Sequence, residues 1–254
     1  MPDNAKTKFT KNRKFLLTGS AVILIIFLVW LGYYKGYRFE NNFMIGKVGT
    51  VSMEIPFPQT NIFIDESEKI ITSKENQTVI FSLSPRDHSV IVSRDGYFPW
   101  KKDFSMPSAG SITLSPIFIS QNTSGVIITK IDPEYWKIRN QITSDKLPTK
   151  SKTRLGSDNL TEIWIDNNAI IAKVREKIYT VIQPETAVKN LDFFKDRTDS
   201  VVFSTGTGIY MIEISKLGTQ NFIPIYKGQN PYFIRGESNY IYVLDGETLM
   251  QVVI

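Results

Sequence analysis

The chain has 254 residues, 42% hydrophobic and 22% charged, with no cysteine, one histidine, and 30 Lys plus Arg against 25 Asp plus Glu. That is enough apolar mass for one or two small cores. The absence of cysteine excludes a disulfide framework, a thiolate nucleophile and sulfur-ligated zinc or iron sites, and a solitary His88 excludes multi-histidine metal sites.

The net charge of +5 is local. Residues 1–14, read as a basic cytoplasmic tail, hold Lys6, Lys8, Lys11, Arg13 and Lys14 against Asp3. The other 240 residues carry 25 basic and 24 acidic side chains. Such a body has no footprint for phosphates, so no nucleic-acid partner is expected.

Next comes Phe15 to Tyr34, twenty residues without a charge. As a helix rising about 1.5 Å per residue they span roughly 30 Å, the thickness of a bilayer core. Trp30, Tyr33 and Tyr34 cluster at the far end, where amphipathic rings favour the interface. We read residues 15–34 as a signal anchor, with Phe15, Trp30, Tyr33 and Tyr34 as its marker residues and membrane lipid as its partner. A cleaved signal peptide is the competitor, but no small-x-small site follows Trp30. A buried soluble helix, which would make the chain an intracellular scaffold, lacks the expected amphipathic period. The basic tail places the N-terminus in the cytoplasm and the rest outside, at the cell membrane as a single-pass protein.

Beyond residue 40 the chain reads as β throughout. Windows such as Val48 to Ile55, Asn61 to Asp65, Val79 to Leu83, His88 to Arg94, Ser111 to Ile119, Gly125 to Ile131, Ile170 to Val174 and Val201 to Ser204 are short, rich in Val, Ile, Phe and Thr, and punctuated by turn residues. The expected fold is an all-β body behind one N-terminal transmembrane helix. The stretch Ser120 to Gly125 divides it into residues 40–120 and 121–254. Polar residues 141–162 read as a long loop.

In the first piece the order is Gly49-Thr50-Val51-Ser52-Met53, then Pro56-Phe57-Pro58-Gln59-Thr60-Asn61-Ile62-Phe63-Ile64-Asp65, then Leu83 to Tyr97 ending in Asp95-Gly96-Tyr97, with Trp100-Lys101-Lys102 after it. The run Val48 to Ile119 resembles the PEGA domain, a small extracytoplasmic β-sandwich module. Gly36-Tyr37-Arg38-Phe39 looks like the junction in membrane-anchored members from small-genome bacteria. The family's namesake tetrapeptide falls at Phe57-Pro58-Gln59-Thr60 with none of its residues kept. Glu66 stands where the pattern has a glycine after the strand-ending Asp, and Asp87 replaces the glycine of the second turn. The resemblance covers about seventy residues and implies a PEGA-like sandwich over 40–120.

Gly96 permits positive φ where the chain leaves a strand, and Tyr97 can then cover the open end of the sandwich. The functional alternative makes Tyr97, Phe98 and Trp100 an aromatic platform for a sugar, with Lys101 and Lys102 beside it. Tyr97, Trp100 and Lys101 are the candidate ligand-binding residues.

The second piece repeats. Ile170 to Tyr179, Val201 to Tyr210 and Ile241 to Met250 are each a strand, a polar turn and a second strand, with starts 31 and 40 residues apart. Aromatic residues precede each copy: Trp164, Phe193 and Phe194, Tyr232 and Phe233. This is the order of β-propeller blades of roughly 40 residues. About three blades fit, plus a partial one around Gly125 to Ile138, where a closed propeller needs at least four. Completion by another copy or partner, an open β-meander and a truncated gene stay open.

Catalytic constellations are scarce. Gly206-Thr207-Gly208 reads as a hairpin turn rather than a phosphate loop. His88 has no serine elbow and reads as a surface residue. Asp192, Asp196 and Asp199 read as a solvated connection between strands. No cofactor or metal is expected. The sequence points to a non-enzymatic binding or structural protein of the cell envelope, engaging cell-wall polysaccharide, an envelope protein or a second copy of itself. A glycan hydrolase using carboxylates of the second piece is the alternative.

Overall fold

The computed structural model describes residues 4–39, 45–72, 74–214, 218–237 and 239–254, with the side chains of 4–18, 39 and 68 outside that description. They form two compact units, Met1–Glu54 with Thr78–His88 and Ser105–Ser115, and Ile55–Gln77 with Ser89–Phe104 and Pro116–Ile254. The body is mostly β, and among the described residues no sheet closes into a barrel.

The first unit begins with α1 (Asn4–Tyr34). Gly36, at φ +84°, ends it, with Lys35 N–H donating to Leu31 O at 3.0 Å and Gly36 N–H to Tyr33 O at 3.1 Å, the left-handed stop that glycine allows. From Val22 to Trp30 every side chain is at least half exposed. The apolar surface therefore runs around the helix instead of facing one core. Among the described residues no helix is long and apolar enough to cross a membrane. Described side chains of α1 start at Gly19, so Phe15 lies outside them with the next three residues.

A ribbon of β1 (Tyr37–Phe39) and β2 (Ile45–Lys47) follows. Then come β3 (Gly49–Ile55), β4 (Asn61–Ile64), β5 (Glu68–Ile71), β6 (Gln77–Leu83), β7 (Asp87–Ser93), β8 (Trp100–Ser105) and β9 (Ser111–Leu114). They make one sheet of order β6-β3-β9, with β3 and β9 parallel, and another of order β5-β4-β7-β8. Strand periodicity sets which residues are inside. Val51, Met53 and Ile55 of β3 are buried, as are His88, Val90 and Val92 of β7. His88 is thus an interior residue, 4% exposed, with Nε2 at 2.8 Å from Ser84 O, and not the surface residue expected from sequence. It shares the inward phase of the two valines.

Gln59 and Glu66 have φ of 55° and 63°. Left-handed backbone strains a side chain by about 1–2 kcal/mol, whereas glycine adds about 0.4–1 kcal/mol of unfolded-state entropy. Both are exposed. Gln59→Gly and Glu66→Gly are each expected to stabilise the fold by about 0.5–1 kcal/mol, read as a higher urea midpoint. Unchanged or lower midpoints would contradict the strain argument.

The remaining elements are β10 (Gly125–Ile128), α2 (Tyr135–Ser144), β11 (Arg154–Leu155), β12 (Thr161–Asp166), β13 (Ala169–Val174), β14 (Lys177–Ile182), β15 (Asn190–Phe193), β16 (Ser200–Ser204), β17 (Gly208–Glu213), β18 (Phe222–Lys227), β19 (Pro231–Arg235), β20 (Tyr240–Asp245) and β21 (Thr248–Val253). They build three four-stranded sheets, β11-β12-β13-β14, β15-β16-β17-β18 and β10-β21-β20-β19. Gly125 to Ile128 are therefore no partial repeat: β10 is the fourth strand of the last sheet, antiparallel to β21.

The repeat is more regular than its sequence suggests. β12, β16 and β20 start at Thr161, Ser200 and Tyr240, so the spacings are 39 and 40. The interval of 31 runs from β13, the third strand of its sheet, to β16, the second strand of the next. Thr205 N–H donates to Gly208 O at 2.9 Å across the β16–β17 turn, as the hairpin reading of Gly206-Thr207-Gly208 required.

α2 is a further correction: it starts at Tyr135, ahead of the stretch 141–162 expected to be a loop, and runs into it as far as Ser144. Tyr135, Ile138 and Ile142 lie on one face at helical spacing and pack with Leu244 and Leu249. Ten residues were too few to raise a helical period in a polar background. A second cluster joins the other two sheets through Ile163, Ile170, Leu191, Val201 and Phe203. Arg154 binds Asp192 Oδ2 at 2.7 Å and Asp145 Oδ1 at 2.9 Å. It thereby ties β11 and the end of α2 to β15, and Asn190 Oδ1 accepts from Phe233 N–H of β19 at 3.2 Å.

Candidate functional site: an aromatic cleft with two cations

The second unit contains an open cleft of about 450 Å³, within the size range of small-molecule sites. Its aromatic wall comes from three loops. Phe57 follows β3, and its carbonyl accepts from Thr60 Oγ1 at 3.0 Å and Thr72 Oγ1 at 3.1 Å. Both threonines are buried, so the bend is held from inside. Tyr97 follows Gly96, whose φ of +80° turns the chain as expected. Phe98 N–H then donates to Ile119 O at 3.0 Å and Gln121 N–H to Gly96 O at 2.9 Å, lacing this corner to the segment carrying Phe118.

The three rings form a triangle. Centroids are 5.3 Å apart for Phe57–Tyr97, 5.2 Å for Phe57–Phe118 and 6.0 Å for Tyr97–Phe118, the last two edge-to-face. The Arg94 guanidinium lies 4.6 Å from the Phe57 centroid and 5.3 Å from that of Tyr97.

Lys195 and Arg197 come to the cleft on the loop between β15 and β16. Phe194 N–H donates to Ser200 O at 3.0 Å and Arg197 N–H to Phe194 O at 3.1 Å, while Arg235 donates to the Lys195 carbonyl. Lys195 sits at φ 54°, strain of the sort concentrated where a loop has a task. Burial, and then the charge of Arg197, pull its ammonium pKa below the usual lysine value. Arg197 is matched by Asp199, with Nε to Oδ1 at 2.8 Å and Nη2 to Oδ2 at 2.5 Å.

Of the residues expected to bind a ligand, Tyr97 lines this cleft. Trp100 and Lys101 do not. Trp100 is 2% exposed, and its Nε1 donates to Glu213 Oε1 at 2.7 Å. Lys102, placed beside the platform in the sequence reading, is also buried, with Nζ 2.7 Å from Glu213 Oε2. A stacking surface on Trp100 therefore does not form. Lys101 is exposed and 3.5 Å from Asp103, and its backbone is read by Asn221, which accepts from Lys101 N–H at 3.0 Å and donates to Lys101 O at 2.8 Å. Trp100, Lys102, Glu213 and Asn221 thus form a buried polar joint between β8 and β17–β18. A charged residue in the inward phase, between Trp100 and Phe104, was its signal.

At the membrane-anchor candidates, Trp30, Tyr33 and Tyr34 are 58%, 62% and 79% exposed. Trp30 stacks between Phe27 and Tyr34, and Arg38 lies over Tyr33 at 3.6 Å. The carboxylates of Asp192, Asp196 and Asp199 each face an arginine, namely Arg154, Arg235 and Arg197. Among the described residues no three His, Asp or Glu side chains come together as a metal-holding group.

No protein-family model matches the chain, and no curated protein sequence matches it. A solved structure of a protein of unknown function from Bacteroides fragilis, described there as membrane-associated, aligns over 81% of this chain and 94% of its own at 10% identity, with a TM-score of 0.24, too low to carry an argument about fold or function.

Proposed function

We propose that the chain is a non-enzymatic binding or structural protein of the cell envelope, tethered to the membrane by residues 15–34 with its β body on the outer side. The observation that carries this reading is the α1 surface. Apolar side chains from Val22 to Trp30 are open on all sides of the helix, in a run of twenty uncharged residues, and a surface of that kind calls for lipid. The basic residues before the run favour a cytoplasmic N-terminus.

The body is a PEGA-like sandwich followed by propeller-like repeats. Gln59 stands at the glycine position of the PEGA tetrapeptide and Glu66 at the glycine after the strand-ending Asp, and both keep the positive φ that glycine would supply. The 39 and 40-residue spacing of the sheets, with β10 pairing to the final strand, supports the repeat reading. Fractionation of cells expressing the full chain tests the tether. It is expected in the membrane pellet after alkaline carbonate washing. Recovery in the aqueous fraction would refute it.

A further inference from the structure

We propose that the cleft between Tyr97 and Lys195 binds an anionic saccharide, its ring against Phe57 and Tyr97 and its carboxylate or phosphate toward Lys195 and Arg197. This deepens the envelope-binding reading and rests on it.

The charge pattern argues for an anion. Lys195 and Arg197 line the cleft together with Ile254, and no Asp or Glu side chain is among its described lining residues. Arg197 already has Asp199 as its partner, whereas Lys195 has no ion pair among the described residues and lies over the Phe194 ring, 5.2 Å from its centroid. An ammonium held partly out of water beside a second cation gains an ionic partner from an incoming anion. The backbone at Lys195, at positive φ and held by Arg235 on its carbonyl, fixes where this side chain leaves the loop.

The rest of the lining argues for a sugar. A bare inorganic anion has no use for the ring triangle. The rings that line the cleft suit the apolar side of a pyranose, and Ser120, Asn122 and Ser124 along it offer donors and acceptors for hydroxyls. A volume of about 450 Å³ takes one or two sugar units of a longer chain.

The test is calorimetric titration of the full chain in detergent micelles with trigalacturonate, glucose 6-phosphate, inorganic phosphate and maltotriose. At least one of the two charged sugars is expected to bind about tenfold more tightly than maltotriose and than inorganic phosphate, and which of the two binds better identifies the acid group. Lys195→Met is expected to weaken that binding about tenfold, Tyr97→Ala to weaken it, and Lys195→Arg to retain it with an unchanged far-ultraviolet spectrum. Equal affinity for charged and neutral sugars, equal affinity for inorganic phosphate, full binding by Lys195→Met, or no heat from any probe would overturn the proposal. A chain that pellets with membranes yet binds none of the probes loses this ligand and keeps its tether.

Discussion

Glu213→Ala is expected to destabilise the protein by about 3–5 kcal/mol, the range for removing one partner of a buried ion pair. The Glu213 carboxylate serves Trp100 Nε1, Lys102 Nζ and the Asn221 amide, all within the interior. Its loss strands an ammonium only 8% exposed and an indole N–H in a space that water does not reach. Since a domain is stable by about 5–15 kcal/mol, one substitution removes a large part of the total. Pairing Glu213→Gln with Lys102→Met removes the charges together and leaves an amide oxygen for Trp100, so the double variant is expected to lose less than the single alanine. Urea unfolding followed by tryptophan fluorescence measures both. A Glu213→Ala midpoint within error of wild type would show that the joint contributes nothing.

The second large effect lies in α1. Leu24 and Ile25 sit near the middle of the uncharged run, where an arginine is disfavoured by about 2.5–3.5 kcal/mol on the insertion scale. Leu24→Arg with Ile25→Arg is therefore expected to shift the insertion balance by about 5–7 kcal/mol and move the chain from the carbonate-washed membrane to the soluble or aggregated fraction. Retention of the double variant in the washed membrane at wild-type level would mean that another feature holds the protein there.

Much of the fold was legible because strand signals are local. The hairpins β16–β17 and β20–β21 were readable from two apolar runs around Gly206-Thr207-Gly208 and Asp245-Gly246, and the Asp95-Gly96 corner from its glycine. What escaped depends on distant partners or on phase. β10 pairs with β21, more than a hundred residues away, and nothing within Gly125 to Ile128 encodes that partner. α2 is a three-residue stripe in a polar segment. The repeat phase is hidden in the sequence because β12 and β13 are both apolar strands and either could head a copy.

The site divides the same way. Tyr97 was legible as an aromatic at a turn, but its partners Phe57 and Phe118 come from separate loops, and Lys195 and Arg197 from a β15–β16 connection that sequence alone presents as solvated. Consecutive in sequence, Trp100, Lys101 and Lys102 present themselves as one patch. In a strand, alternate residues face opposite ways, which put Trp100 and Lys102 inside and left Lys101 outside.

Protease added to intact cells tests the central claim most directly, with epitope tags at the two ends of the full chain. The account predicts that the carboxyl-terminal tag is lost while the amino-terminal tag survives on a short fragment that remains with the membrane. A carboxyl-terminal tag untouched until the cells are broken would contradict it.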